Sequence, residues 1–277
     1  MRPMSCATSW ESKQIAAQWA LLLHILKNRG GAVLDTYHIS GGRRLSGTVN
    51  TTGAKNAVLP LLAASIMGSG ETVLHNCPAL SDVYAMLGIL EAVGCRTDFD
   101  GGRVRVCPGI SEEAFLHEDL VQELRSSVFL LGPMLALKRS VHMGFPGGCD
   151  IGKRPVDIHL EALRKMGAQI EEKDGKIVCT ARQLCGASVR LPFPSVGATE
   201  NIMMAAAMAE GVTVIRNAAR EPEITDLIGF LRAAGADIRG AGTSELTICG
   251  AHKLHGATYT ILPDRIETAT YLCMAAG

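Results

Sequence analysis

Ten residues bring a thiol, two cations and three glycines together: Pro146-Gly147-Gly148-Cys149-Asp150-Ile151-Gly152-Lys153-Arg154-Pro155. Glycine lets a loop bend sharply and approach a ligand closely. Cys149 precedes Lys153 and Arg154 by four and five residues, and neighbouring cations draw a thiol toward thiolate. The planar fork of Arg matches the oxygens of a phosphate. Loop, sulfur and phosphate clamp together look like an active-site loop handling a phosphorylated substrate. A surface turn that happens to contain a cysteine has the same local sequence.

Three further groups stand where helices begin. Lys55-Asn56 follows Gly53-Ala54, Arg125 opens a run with Ser126 and Ser127, and Ser195-Val196-Gly197-Ala198-Thr199 opens a third. A helix start with free N–H groups and a positive dipole end favours an anion. A cation there opposes the dipole, so Arg125 needs another reason for its position. Anion binding is one reason, and a salt bridge to Glu123 or Glu118 is another. Lys55 reads equally as a solvated cap, and Ser195 or Thr199 as a simple helix cap. Arg220-Glu221-Pro222-Glu223 and Pro263-Asp264-Arg265 read as structural ion pairs.

The elements that must position these groups recur along the chain. Leu90-Glu91-Ala92-Val93-Gly94, Leu163-Arg164-Lys165-Met166-Gly167 and Leu231-Arg232-Ala233-Ala234-Gly235 each end a helical pattern on a glycine suited to a left-handed cap. A β-hairpin pattern follows each one: 96–98 with 102–106, 169–171 with 175–179, and 237–239 with 245–248. Upstream lie apolar helices with almost no polar face, at 54–67, 124–137 and 198–209, of the kind buried on all sides. Strands at 71–74, 140–143 and 212–215 come next, then amphipathic helices at 81–93, 155–166 and 223–234. The unit is thus buried helix, strand, amphipathic helix, hairpin, repeated about every 70 residues, longer than a solenoid repeat. The expected fold is α/β, an inside-out α/β barrel lobe of three repeats around buried helices.

Composition removes several classes of function. The 277 residues balance 27 Lys+Arg against 27 Asp+Glu, which argues against nucleic acid as a partner. Apolar residues make up 47% and aromatic residues 4%, so the core must be aliphatic. Nine cysteines are present. They show no CxxC spacing and no His at ligand spacing, so neither zinc nor a disulfide scaffold is expected. No apolar run of about 18 residues occurs, so no membrane span is expected. The patch at 19–26 lacks the features of a signal peptide.

Taken together, these motifs resemble the enolpyruvyl transferase family. The resemblance rests on Gly53-Ala54-Lys55-Asn56-Ala57, Leu124-Arg125-Ser126-Ser127, the 146–155 loop with Val156-Asp157, Ser195-Val196-Gly197-Ala198-Thr199, Ala219-Arg220-Glu221-Pro222-Glu223 and Leu262-Pro263-Asp264-Arg265. It implies transfer of the enolpyruvyl group of phosphoenolpyruvate to the 3-hydroxyl of UDP-N-acetylglucosamine, the first committed step of peptidoglycan synthesis in the cytoplasm, with no cofactor or metal. It further implies that Cys149 is the general acid, forms an adduct with phosphoenolpyruvate and is alkylated by fosfomycin. Lys55, Arg125 and Arg154 would hold phosphoenolpyruvate, and Asn56 would touch the sugar nucleotide. Arg154, Pro155, Val156, Asp157 and Ile158 would line the uridine side, and Ser195, Val196 and Gly197 the diphosphate. Residues 55–263 match one complete lobe, and 35–54 with 264–277 match a fragment of a second lobe. Residues 1–34 lie outside the match and are expected to pack loosely, and a chain without the rest of the second lobe is expected to be impaired. A shikimate-3-phosphate enolpyruvyl transferase and a non-catalytic UDP-sugar-binding module are the alternatives.

Overall fold

The computed structural model describes residues 46–111, 116, 120, 121, 124–144, 146, 156–173, 176–251 and 253–276. The chain divides into two compact units, 1–47 and 48–277, and nearly all described residues belong to the second. The expectation for residues 1–34 lies outside the described residues.

The repeated pattern folds into three like units. The first has α1 (Lys55–Ser65), β1 (Gly68–Ser69), β2 (Thr72–His75), α2 (Ser81–Ala92) and the hairpin β3 (Arg96–Asp100) and β4 (Arg103–Cys107). The second begins with a 3-10 helix (Arg125–Leu130) that runs into α3 (Leu131–Lys138). It continues with β5 (Ser140–Gly144), α4 (Asp157–Lys165), β6 (Gln169–Lys173) and β7 (Lys176–Thr180). The third has β8 (Ser188–Arg190), α5 (Val196–Ala206), β9 (Val212–Arg216), α6 (Pro222–Ala233), β10 (Asp237–Arg239) and β11 (Glu245–Cys249). After it come β12 (Leu254–His255), β13 (Thr258–Thr260) and α7 (Arg265–Ala276). Gly94, Gly167 and Gly235 carry φ of 104°, 95° and 102°, the positive values expected of glycine caps.

The apolar helices are inside and the sheets outside. In α5 every residue from Ala198 to Ala206 is buried, as is every residue of α1 from Ala57 to Ser65. The 3-10 helix packs on both α1 and α5, and α3 packs on α5. One difference from the expected pattern is that the second buried helix opens as 3-10 over its first six residues.

β1 and β12 pair in parallel as a two-stranded sheet, and each of the three larger sheets is an antiparallel strand-and-hairpin that takes a further partner in parallel. β8 joins β9, Leu116 bridges to Met143 of β5, and β13 joins β2. The first unit thus receives its outer strand from the end of the third, which closes the ring of units. Asn76 and Asn217 sit just after β2 and β9 with φ of 59° and 58°. Their side-chain amides donate to Ile261 O (3.0 Å) and Leu191 O (3.1 Å), carbonyls just past β13 and β8. Asn tolerates this left-handed backbone better than other non-glycine residues.

Chain segments 52–55 and 262–267 run side by side. Thr52 donates from N and Oγ1 to Glu267 Oε2 (2.8 and 3.0 Å). The Asp264 carboxylate caps α7 through Ile266 N (2.7 Å) and Glu267 N (3.1 Å). No residue of α7 is buried, and Leu272 and Met274 are 66% and 53% exposed. Among the described residues no helix is long and apolar enough to cross a membrane.

Candidate functional site

The predicted site residues fall at element starts. Lys55 and Asn56 begin α1, Arg125 begins the 3-10 helix, and Ser195 is the N-cap of α5 with Val196 and Gly197 in its first turn. Val156 is the N-cap of α4, with Asp157 and Ile158 next. Cys149, Arg154 and Pro155 lie outside the described residues, as do Glu118 and Glu123.

The 3-10 helix, α3 and the first turn of α4 are tied to the middle of α5 by one side chain that sequence reasoning missed. Asn201 lies within α5 and is fully buried. Its Oδ1 accepts from Gly132 N (2.7 Å), and its Nδ2 donates to Val128 O (2.8 Å). The same Nδ2 lies 3.1 Å from Nδ1 of His159 on α4. Gly132 N is a pure donor, so Oδ1 must face it and the amide orientation is fixed. The remaining Nδ2 hydrogen then points at His159 Nδ1, which must accept. His159 therefore carries its proton on Nε2.

His159 is 8% exposed. Burial, followed by the charge of Arg125, lowers its pKa from 6.5 to about 4. The imidazole is neutral at physiological pH. Its ring edge stands against the first turn of α5. A Cβ on Gly197 would come within 3.3 Å of His159 Cε1 and of Phe129 Cε1, and 3.6 Å of His159 Nε2. Glycine at 197 gives the ring its place. Ser195 closes the cap by accepting from Ala198 N at 3.4 Å, and Thr199 Oγ1 donates to Ser195 O (2.7 Å). Phe193 is 54% exposed beside this cap.

Lys55 is engaged on both its nitrogens. Its backbone N–H meets Asp264 Oδ2 at 3.3 Å, and its ammonium pairs with Asp82 at 2.5 Å. Asp264 thus already serves the start of α1, which leaves the Lys55 side chain as the usable cation there. That pair is 46% and 32% exposed. A pair so wet is worth roughly 0–1 kcal/mol, so Lys55 can exchange Asp82 for a ligand anion at little cost. Asn56 is exposed.

A cleft of about 210 Å³ adjoins the start of α4. Its lining includes Asp157, Ile158, Lys165, Arg190, Leu191 and Pro192.

One buried polar group stands apart. Glu200 is 1% exposed and neither carboxylate oxygen has a partner among the described residues. Burial first, then Glu223 and Glu221, push its pKa well above 4.5. Glu223 itself is buried and is held by Arg265 through Nε–Oε1 at 3.0 Å. The run Thr199-Glu200-Asn201 inside an otherwise apolar helix was the available signal for this polar interior. None of the described cysteines forms a disulfide.

Buried helices inside and sheets outside match the enolpyruvyl transferase architecture. The chain belongs to the family described as EPSP synthase (3-phosphoshikimate 1-carboxyvinyltransferase), whose model matches residues 39–276. It is 50% identical over 243 residues to UDP-N-acetylglucosamine 1-carboxyvinyltransferase 2 of Caldanaerobacter subterraneus subsp. tengcongensis, covering 88% of this chain and 58% of that protein. It is 49% identical over 249 residues to UDP-N-acetylglucosamine 1-carboxyvinyltransferase 1 of Symbiobacterium thermophilum, covering 87% and 56%. Among solved structures, the enolpyruvyl transferase NikO from Streptomyces tendae superposes with TM-score 0.75 at 26% identity, over 84% of this chain and 55% of that one. EPSP synthase from Acinetobacter baumannii shares the fold with TM-score 0.65 at 24% identity, over 83% of this chain and 53% of that one. The chain spans little more than half the length of these relatives.

Proposed function

We propose that this chain supplies the cysteine-loop lobe of a UDP-N-acetylglucosamine 1-carboxyvinyltransferase. Residues 55–263 form that lobe, 35–54 and 264–277 contribute to a second one, and 1–34 are an extension. The observation that supports the reading is that Asn201, in the middle of α5, holds Val128 O of the Arg125 helix, Gly132 N of α3 and His159 of α4 together. The names of relatives at about half identity support the choice of sugar nucleotide.

In this reading Asp157 and Ile158 line the uridine side with Val156, Arg154 and Pro155, and the start of α5 receives the diphosphate. Lys55, Arg125 and Arg154 hold the phosphate of phosphoenolpyruvate. The Cys149 thiol gives its proton to the methylene carbon. The adjacent carbon gains cationic character and bonds to the 3-hydroxyl oxygen of the sugar, which loses its proton to a base from the second lobe. Phosphate then leaves with its C–O electron pair, and loss of a proton from the methyl group restores the double bond. A positioned acid and fixed cations lower such a barrier by stabilising charge as it develops. The setting is cytoplasmic cell-wall synthesis, which supports cell shape and division, and fosfomycin would act on Cys149.

Titration calorimetry with the purified chain tests the substrate class. UDP-N-acetylglucosamine is expected to bind and shikimate-3-phosphate to give no heat. Binding of shikimate-3-phosphate in place of the sugar nucleotide overturns the reading.

A further inference from the structure

We propose that Asp82 is a placeholder anion, which binds the Lys55 ammonium in competition with the phosphate of phosphoenolpyruvate and yields it when that ligand binds. This rests on the reading of Lys55 as a phosphate-holding group, and adds the positioning residue that sets its affinity.

Two acids at the same point of the repeat separate a fixed ion pair from an exchangeable one. Asp82 lies in the first turn of α2 and Glu223 in the first turn of α6. Each meets a cation that opens another helix, Lys55 of α1 and Arg265 of α7. Arg265 grips both oxygens of Glu223, at 3.0 and 3.3 Å, and the Glu223 side chain is 3% exposed. A buried, forked pair of this kind is costly to break. Lys55 instead meets a single oxygen of Asp82, Oδ2, and both side chains are wet. The other oxygen, Oδ1, accepts from Ser81 Oγ at 3.4 Å.

Both groups keep a favourable setting after the exchange. α1 has no side-chain cap, so a phosphate at its start meets the ammonium together with helix-start N–H groups. Asp264 Oδ2 holds the Lys55 backbone N–H at 3.3 Å, which keeps the stem of the side chain in place while its head changes partner. α2 has no side-chain cap either, and its N-cap is Leu80. A released Asp82 carboxylate therefore stays beside a helix start that favours negative charge. Two anions on one ammonium repel each other, so the phosphate displaces Asp82 and does not join it.

Nitrogen-15 amide spectra of the full chain, titrated with phosphoenolpyruvate, test the exchange in wild type, Asp82→Asn, Lys55→Met and the double variant. In wild type the amides of Lys55 and Asn56 and those of Asp82 and Val83 are expected to shift along one binding curve. This readout needs no variant, and α2 amides that stay still overturn the exchange. A wet surface pair favours its ammonium by a factor of at most about five. Removing the competing charge in Asp82→Asn is therefore expected to tighten phosphoenolpyruvate binding about twofold to fivefold. Lys55→Met is expected to bind more weakly, and adding Asp82→Asn to it is expected to change nothing. A merely structural role for Asp82 predicts the opposite sign, a loss of affinity in Asp82→Asn. Equal or weaker binding in Asp82→Asn, or a gain that persists in the double variant, overturns the placeholder role. If wild type still binds and Lys55→Met still weakens it, the proposed function stands without it. Failure of wild type to bind phosphoenolpyruvate, alone or with UDP-N-acetylglucosamine, overturns both.

Discussion

At the residue scale, the two titratable groups buried in the helical centre make opposite demands on pH. His159 folds neutral with its pKa lowered to about 4, while the unfolded chain protonates it near 6.5. The unfolded state binds more protons between those values, so stability falls as pH drops from about 6.5 to about 4. The full effect is on the order of 3 kcal/mol. Urea unfolding across this range is expected to show that loss in wild type, and the loss should be missing in His159→Gln. Glu200 works in the other direction. Its folded pKa is raised, so the unfolded chain ionises first as pH rises above 4.5 and the folded state loses ground. Glu200→Gln cannot ionise. Its melting temperature is therefore expected to gain on wild type between pH 4 and pH 8, and a difference independent of pH would contradict the assignment of Glu200 as a neutral buried acid.

At the element scale, Asn201 links helices that the sequence places 69 and 73 residues apart. Asn201→Leu leaves Gly132 N–H, Val128 O and His159 Nδ1 without partners. Each unmet buried group costs about 1–3 kcal/mol, so a loss of about 3 kcal/mol or more is expected in denaturant unfolding. Periodicity alone revealed the buried helices and the hairpins, because burial on all sides and two-residue alternation leave local patterns. The glycine caps at 94, 167 and 235 were legible for the same reason. The parallel additions of β8 and β13 were not, since pairing across the ring leaves only a short apolar stretch with no period of its own. Nor was the 3-10 opening at Arg125. Lys55 was legible as a charge at a helix start, but its partners were not. Asp82 and Asp264 come from elsewhere in the chain, and nothing in local sequence marks which carboxylate meets Lys55.

At the scale of the whole molecule, the three like units place the starts of α1, the 3-10 helix and α5 at equivalent points of the repeat, and β13, which follows the third unit, pairs with β2 of the first. The three helix starts near positions 55, 125 and 195 were legible in the sequence because they recur at the same point of the repeat. The central claim is that this lobe presents Cys149 to phosphoenolpyruvate beside a bound sugar nucleotide. Mass spectrometry after treatment with fosfomycin and UDP-N-acetylglucosamine tests it most directly. The account predicts one added fosfomycin mapped to Cys149. No adduct, or labelling of exposed Cys185 and Cys273 at the same rate as Cys149, would contradict it.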